Sequence, residues 1–409
     1  MATVLILGGA PTVPHGVDLT RKAIRQAHAR GLRVHLTDQQ EALDASPGMV
    51  ALADTVSAVD FTDPAGCAVW AKQLRDTGDV PDIVVSPREY AQIAVADVVD
   101  ELGLPGNSGE VVRRIRSKDA CREWLREAGF AQPRLAVCGS AAEAAELIGH
   151  GCGGGPWIVK PRDAMGSLGV SLVRDPAELD AAVAALPRPG PFLIEEYVDG
   201  PEYSVEGVFL SGQPVVLAIT EKKVLGPGAF VEVGHVLPAP LPEPRRARIE
   251  REVRVALRAL GLRFGLFHVE LWWTADGPVL GEVHGRPGGD WIHLLLGHAI
   301  PGLELYGLIY DDLLGAPPGP LACTRAAAVR FLTPPPGRIT SITGFGEAAA
   351  HPAVLRASCD VAVGHHIGPL RDSFDRAGVL VVGADTVPEA ERLATDLAAA
   401  VEFRCEPVA

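Results

Sequence analysis

The feature that most constrains the fold is the alternation of strand and helix patterns over the first ~107 residues. Thr3–Leu7 is a short apolar run of the kind a strand buried on both faces requires. Leu19–Arg30 has helical periodicity and stops at Gly31, Leu32–Leu36 is a second strand, and Pro81–Val85 a later one. A helix closes over Asp97–Leu102, ahead of Gly103-Leu104-Pro105-Gly106. Strands separated by helices imply right-handed crossovers and a parallel α/β sheet. A helical stretch from Ser108 to Gly129 follows, and then two apolar strands, Pro156–Lys160 and Gly169–Val173, flank a loop of small residues. Further along are a helix over Pro176–Leu186, a strand run starting at Phe192–Val198, and a proline-rich loop over Leu237–Pro244. Next come a helix over Arg245–Leu260, a hairpin from Gly265 to His284, a linker at Ala316–Pro320 and a small α/β lobe ending in helix Val387–Glu402.

The bulk properties exclude several classes. The 409 residues are enough for a large core in two to four units. A net charge of −14 argues against a nucleic-acid surface, which needs a basic stripe. No run approaches the ~18 apolar residues of a membrane span, and no signal-peptide pattern precedes Thr3–Leu7. The seven cysteines, Cys67, Cys121, Cys138, Cys152, Cys323, Cys359 and Cys405, are scattered, odd in number and form no CxxC pair. A zinc site or disulfide framework is therefore not expected, and the reading is a reducing cytoplasm. Only six of the 37 basic residues are lysines: Lys22, Lys72, Lys118, Lys160, Lys222 and Lys223. Lysine and arginine are not interchangeable where one compact charge must fit beside phosphates, and in so arginine-rich a chain the retained lysines therefore merit inspection.

The hairpin carries the sharpest chemical signal. Leu266, His268, Glu270 and Trp272 share one face, and Phe267, Val269, Leu271 and Trp273 the other. A three-residue loop, Ala275-Asp276-Gly277, sets Thr274 opposite Pro278, which places Glu270 opposite Glu282 and His268 opposite His284. Like charges facing each other are destabilising, and a divalent cation with oxygen ligands removes the conflict. A solvent-facing hairpin with two harmless glutamates is the alternative. Glu282-x-His284-x-Arg286 weighs against it by adding an imidazole and a guanidinium at successive same-face positions, ahead of Gly288-Gly289-Asp290, whose glycines allow close backbone approach.

Trp157-Ile158-Val159-Lys160-Pro161 is a strand ending in a lysine, followed by Asp163-Ala164-Met165-Gly166-Ser167-Leu168-Gly169. Small residues there can aim backbone N–H groups at anionic oxygens. The segment is not a Walker A loop, and Gly8-Gly9-Ala10-Pro11 lacks the third glycine of a dinucleotide turn.

In this order, these elements resemble the ATP-grasp superfamily over most of the chain. Ser117-Lys118-Asp119, with the helix ending Glu127-Ala128-Gly129-Phe130 and then Pro133, is similar to its first lysine segment. Trp157–Val170 is similar to its second lysine and glycine-rich flap. Leu193-Ile194-Glu195-Glu196-Tyr197-Val198-Asp199-Gly200-Pro201-Glu202 resembles the adenine hinge, and the metal hairpin comes last. Three features resemble the amino-acid ligase branch, which makes dipeptides and related amides. They are Glu282–Asp290, Gly234-His235-Val236-Leu237-Pro238-Ala239, and a tail from Arg325 through Pro334-Pro335-Pro336-Gly337 to the final helix. The family usually has asparagine where this chain has His284; imidazole can ligate metals, but magnesium prefers oxygen.

The resemblance implies an α/β ATP-grasp fold with four parts. An N-terminal parallel α/β domain covers 1–107, and a linker helix with the mobile ATP lid 108–195. A C-terminal α+β catalytic domain covers 196–320, and an extra C-terminal lobe 321–409. It implies ATP and Mg2+ (or Mn2+) as cofactors and amino acids as small-molecule substrates, and the added lobe is compatible with a homodimer. Lys118 and Lys160 are expected on the α- and β-phosphates, with Gly166 and Ser167 in the flap. Glu195, Glu196, Tyr197 and Val198 are expected at the adenine, and Glu202 on the ribose. Lys222 or Lys223 is expected at the γ-phosphate, Glu270, Glu282 and His284 at the metal, and Arg286 on the transferring phosphoryl group. His235, Gly288, Gly289, Asp290 and Glu89 are the expected substrate contacts, with Asp290 or Glu89 meeting an ammonium. The implied reaction is carboxylate attack on the γ-phosphate, then amine attack on the acyl-phosphate, joining amino acids through an α- or γ-carboxylate. A carboxylase-like or nucleotide-pathway enzyme of the same fold, a non-catalytic nucleotide-binding regulator and, more remotely, a nicotinamide oxidoreductase remain as alternatives.

Overall fold

The computed structural model describes residues 2–149, 155–226 and 230–407, so Cys152 lies outside the described residues. The N-terminal strands form a four-stranded, all-parallel sheet in the order Thr55–Ala58, Arg33–Asp38, Thr3–Leu7, Ile83–Val85. Val4 and Ile6 point into one apolar cluster and Leu5 and Leu7 into another, as alternation on a doubly covered strand demands. Helix Pro14–His28 covers the first face, and helices Pro64–Thr77 and Gln92–Leu102 the second.

The expected helix from Ser108 to Gly129 is two helices, Gly109–Arg116 and Lys118–Glu127. The break falls at Ser117, whose extended backbone ends one helix and starts the next. Lys118 thereby becomes the first residue of a new helix, with its side chain turned toward the lid. The lid is a four-stranded antiparallel sheet ordered Leu135–Cys138, Phe192–Glu196, Trp157–Pro161, Ser171–Val173.

The largest element is an eight-stranded antiparallel sheet. Its order is Gly277–His284, Leu266–Thr274, Glu202–Leu210, Gln213–Val224, Glu232–Leu237, Ala326–Leu332, Gly378–Ala384, Val354–Cys359. Three of these strands come from the C-terminal segment, so much of that segment continues the central sheet. A separate three-stranded sheet holds only His366–Ile367, Gly337–Thr343 and Glu402–Glu406. Helix Glu243–Leu260 packs on one face of the large sheet through Ile249, Val253 and Leu257. Helices Ile292–Ala299 and Leu305–Leu313 pack on the other and meet helix Pro14–His28. Each fully buried Leu or Ile there contributes about 1.5–3 kcal/mol of transfer free energy.

Polar contacts fix that junction. Arg30 makes a two-pronged pair with Asp311 at 2.6 and 2.7 Å and reaches Glu304 at 2.7 Å. Gln26 Oε1 accepts from the backbone N–H groups of Tyr306 and Gly307 at 3.0 and 2.9 Å. Among the described residues no helix is long and apolar enough to cross a membrane.

His293, buried on helix Ile292–Ala299, lies 2.7 Å from Asp18 on helix Pro14–His28. Burial outweighs that carboxylate and lowers the imidazole to about 4. A histidine whose folded value lies below its unfolded 6.5 favours folding above pH 6.5 and loses that contribution as pH falls through about 4. The stability–pH profile is therefore expected to drop by about 3 kcal/mol from this group across that window. His293→Asn is expected to flatten the drop, read from urea midpoints between pH 7 and 4; parallel profiles would refute the assignment.

Candidate functional site

Strand pairing brings the two hairpin carboxylates together, by a route the sequence does not display. The loop has two residues, with Thr274 opposite Gly277 and Trp273 opposite Pro278. Carried on unchanged, that register would put Glu282 opposite Val269, on the apolar face, because a one-residue slip exchanges faces. A bulge intervenes, in which Gly281 and Glu282 together oppose Glu270, after which Val269 meets Val283 and His268 meets His284. Gly281 fits this bulge because a Cβ there would lie 3.1 Å from the Glu270 carbonyl oxygen. The expected pairing of His268 with His284 stands, while the three-residue loop is replaced by a shorter loop plus a bulge.

Two parallel series of charges converge on the hairpin. In the first, buried Glu206 lies 3.0 Å from His268 Nδ1, and His268 Nε2 lies 3.2 Å from Glu270. In the second, buried Glu89 lies 3.0 Å from His284 Nδ1, and His284 Nε2 lies 3.4 Å from Glu282. The imidazole rings stand 5.7 Å apart. Each series ends on a lysine: Lys222 Nζ is 3.2 Å from Glu270, and Lys118 Nζ is 3.2 Å from Glu282. Burial alone would push both carboxyls up. Lys222 and His268 instead hold Glu270 well below the usual carboxylate range, and Lys118 and His284 do the same for Glu282. Burial disfavours the charged His268 ring, but Glu206 and Glu270 raise it to about 9.

Lys222 sits among three carboxylates, Glu202 at 2.5 Å, Glu232 at 3.0 Å and Glu270 at 3.2 Å. They hold its ammonium charged against burial. Glu202 moves up, through burial first and then the nearby Glu270 and Glu232, with Lys222 opposing. Lys223 points the other way, pairing Glu221 at 2.8 Å and Glu391 at 3.0 Å. Alternation along strand Gln213–Val224 thus settles the choice of cleft lysine on Lys222.

These groups line one cleft of about 1690 Å³, including the solvent at its mouth. Lys118, Lys160, Lys222 and Arg286 face it, as do Glu195, Glu202, Glu270, Glu282 and His284. Gly166 and Ser167 cover it, and Glu196, Tyr197 and Val198 form the far wall. Lys118 Nζ donates to the Ala164 carbonyl at 2.7 Å, tying the flap to the hairpin. Ser167 donates its hydroxyl to the Phe230 carbonyl at 2.5 Å. Lys160 and Glu195 form a buried pair at 2.6 Å, and Arg122 Nε stands 3.0 Å from the second Glu195 oxygen, off line for a hydrogen bond. Burial lowers Lys160, while Arg122 and Lys160 hold Glu195 below its ordinary range against burial.

Three expected substrate contacts are engaged within the protein. Glu89 accepts from Arg116 at 2.5 Å, is held by Arg286 Nε and backs His284, so it has no face left for a substrate ammonium. Asp290 accepts from both terminal nitrogens of Arg376, at 2.9 and 2.7 Å, and lies 3.0 Å from His235 Nε2. Asp290 is shared between Arg376 and His235, and His235 engages it through Nε2 alone, its buried Nδ1 having no hydrogen-bond partner. Gly288 has the close approach expected of it, but to the protein itself, since a Cβ there would lie 2.9 Å from His268 Nδ1. Gly289 faces open space.

Sequence reasoning missed Arg122, Glu206, Glu232 and Arg376. Glu206 left a trace, an isolated acid in the apolar run Tyr203–Leu210. Arg122 and Arg376 left none in a chain so rich in arginine.

The donor set suits a cation that arrives with ligands of its own. Both ring nitrogens of His284 face carboxylates, which leaves Glu270 and Glu282 as the oxygen donors. Among the described residues no group of three or more His, Cys, Asp or Glu side chains is arranged to hold a metal unaided. Two carboxylates plus water and phosphate oxygens is the arrangement magnesium favours.

Lys222→Met would remove the ammonium shared by three partly buried carboxylates, of which Glu270 keeps His268. It is expected to cost about 3–5 kcal/mol in chelator, part of it restored by millimolar Mg2+. Lys223→Met, which breaks the two solvent-accessible pairs with Glu221 and Glu391, should cost less, about 1 kcal/mol. Thermal melts of both variants with and without Mg2+ check this, and equal losses would contradict the assignment of Lys222 to the cleft.

Comparison with known proteins bears on the same segments. Residues 154–294 match the ATP-grasp domain family, and residues 330–406 match L-amino acid ligase C-terminal domain 2. The uncharacterized protein y4rH of Sinorhizobium fredii is 30% identical over 346 residues, covering 79% of this chain and 68% of that protein. Carnosine synthase 1 of Gallus gallus is 28% identical over 320 residues; the match covers 71% of this chain but only 33% of that longer protein. The crystal structure of L-amino acid ligase from Bacillus licheniformis superposes with a TM-score of 0.78 at 22% identity, covering 99% of both chains.

Proposed function

We infer the function of this chain from one premise: it belongs to the ATP-grasp superfamily, in the L-amino acid ligase branch. It is an ATP-dependent ligase that forms a C–N bond between a carboxylate and an amine, both carried by amino acids. The observation that carries this reading is the placement of Glu270 and Glu282 side by side in a cleft that Lys118, Lys160, Lys222 and Arg286 also line.

Each residue has a part in that reading. Lys118 and Lys160 bind the α- and β-phosphates, exchanging their carboxylate partners for phosphate oxygens. Glu196, Tyr197 and Val198 receive the adenine, and Glu202 the ribose hydroxyls. Gly166 and Ser167 close over the phosphates. Lys222 reaches the γ-phosphate. Glu270 and Glu282 hold Mg2+ (or Mn2+), which when bound neutralises phosphate charge. His268 and His284 orient these carboxylates and are themselves oriented by Glu206 and Glu89.

The chemistry is positioning plus electrostatic stabilisation. A substrate carboxylate oxygen attacks the γ-phosphorus, the bond to the bridging oxygen breaks, and ADP leaves. Arg286, fixed along its Nε edge by Glu89, offers its guanidinium to the oxygens of the transferring phosphoryl group and the acyl-phosphate. The amine then attacks the acyl carbon, phosphate departs, and the nitrogen loses a proton. The flap and the cleft walls exclude water, which would otherwise hydrolyse the acyl-phosphate.

The test is a phosphate-release screen of all amino-acid pairs with Mg2+ and ATP, with product masses determined. Release is expected only with particular pairs, together with a product lighter than the sum of the pair by one water. ATP turnover indifferent to every amino acid would sink the reading, and turnover requiring bicarbonate would place the chain with carboxylating relatives. Glu282→Gln is expected to lower turnover by about two to three orders of magnitude while leaving the protein folded.

A further inference from the structure

The turn that follows Arg286 is strained, and it is held from outside its own part of the chain. Asp290 and Trp291 both adopt left-handed backbone conformations, with φ of 52° and 64°. Residues with side chains rarely do so, and two in succession must be held by their surroundings. Each is met by an arginine of the C-terminal segment. Arg376 grips the Asp290 carboxylate with two nitrogens at 2.9 and 2.7 Å, and its guanidinium lies 3.6 Å from the centre of the Phe331 ring. Arg356 lies 4.9 Å from the centre of the Trp291 ring, whose other neighbours are His15 at 6.2 Å and His293 at 5.7 Å.

The loop that carries Arg376 also touches the rest of the cleft. The Ser373 carbonyl accepts from Arg376 Nε at 2.8 Å, its N–H donates to the Gly166 carbonyl in the flap at 3.0 Å, and its hydroxyl lies 3.2 Å from Glu232. Both arginines fall within residues 330–406, the stretch that matches L-amino acid ligase C-terminal domain 2. The turn begins two residues after Arg286, which lines the cleft, and leads into helix Ile292–Ala299; Gly288 packs against His268, and the backbone at Gly289 faces open space. A fixed turn presents that backbone in one geometry, and a released one must be ordered at each binding event.

We propose that Arg376, assisted by Arg356, is a positioning residue that holds the Gly288–Trp291 turn in its strained form and so sets the affinity for the amino-acid substrate beside Arg286. The assignment rests on the ligase reading above. It gives the C-terminal lobe a role in substrate recognition without any direct substrate contact.

The experiment measures amino-acid KM, kcat and the Kd of a non-hydrolysable ATP analogue for the wild type, Arg376→Ala, Arg376→Lys and Arg356→Ala. Arg376→Ala is expected to raise the amino-acid KM at least tenfold and leave the nucleotide Kd within threefold. Arg376→Lys, which keeps the charge but not the two-pronged grip, should fall between, and Arg356→Ala should move the same constant less. An amino-acid KM within twofold of wild type, or KM and nucleotide Kd rising in parallel, overturns the proposal. Should Arg376→Ala not fold, Asp290→Asn weakens the same grip and takes its place with the same expected split. Hydrogen exchange distinguishes failure of this idea from failure of the ligase reading. Even with no turnover at all, Arg376→Ala should speed amide exchange at residues 288–292 and leave hairpin 266–284 protected. Unchanged exchange in both segments overturns the proposal whatever the enzyme assay shows.

Discussion

Two glutamates on adjacent strands, partly buried and facing the same cleft, are held ionised by nearby positive charge. That requirement organises the molecule. Glu270 is neutralised by Lys222 and backed by His268 and Glu206, all from the central sheet. Glu282 draws on more distant parts: Lys118 from the helix that starts after the break at Ser117, and His284 backed by Glu89 from the N-terminal domain. Arg116 and Arg286 in turn hold Glu89. The N-terminal domain, the linker helix and the central sheet therefore meet around one electrostatic problem, and domain packing and site formation are the same event. Removing one partner of such a set costs more than the set gains overall, because it strands a buried charge.

The two series differ in a way that bears on motion. The Glu270 series lies within one sheet and is rigid. The Glu282 series crosses between units and includes Lys118, which also donates to the flap at Ala164. Lys118 thus joins the Gly166–Ser167 loop and the Glu282 carboxylate through one ammonium group. Lys160, buried against Glu195 within the lid, is the corresponding charge on the opposite side of the cleft.

The C-terminal segment is less separate than its sequence suggests. The stretch Ala316–Pro320 reads as a linker, yet Ala326–Leu332, Gly378–Ala384 and Val354–Cys359 extend the central sheet. Strand addition hides this from sequence, because an apolar strand carries no label for the partner it will pair with. The loop between the last two of these strands in space delivers Arg376 to the turn after Arg286, a contact between residues 86 positions apart.

What the sequence determined by itself is periodic or local. Alternating patterns dictated the parallel N-terminal sheet and the faces of the hairpin, and the scarcity of lysine drew attention to six positions, Lys118, Lys160, Lys222 and Lys223 among them. Local turn chemistry was less decisive: the loop after Thr274 is one residue shorter than its composition suggests, and the bulge at Gly281-Glu282 restores the expected facing of the histidines. Tertiary structure alone decided which like residues serve the site. Lys222 and not Lys223 enters the cleft because alternation about a strand gives them opposite faces, and only the packed sheet says which face is the cleft. Glu89 and Asp290, readable as substrate carboxylates, are consumed by Arg286, Arg116 and Arg376. No local pattern reports that, because a carboxylate's partner is set by chain segments far away in sequence that approach only when the domains pack.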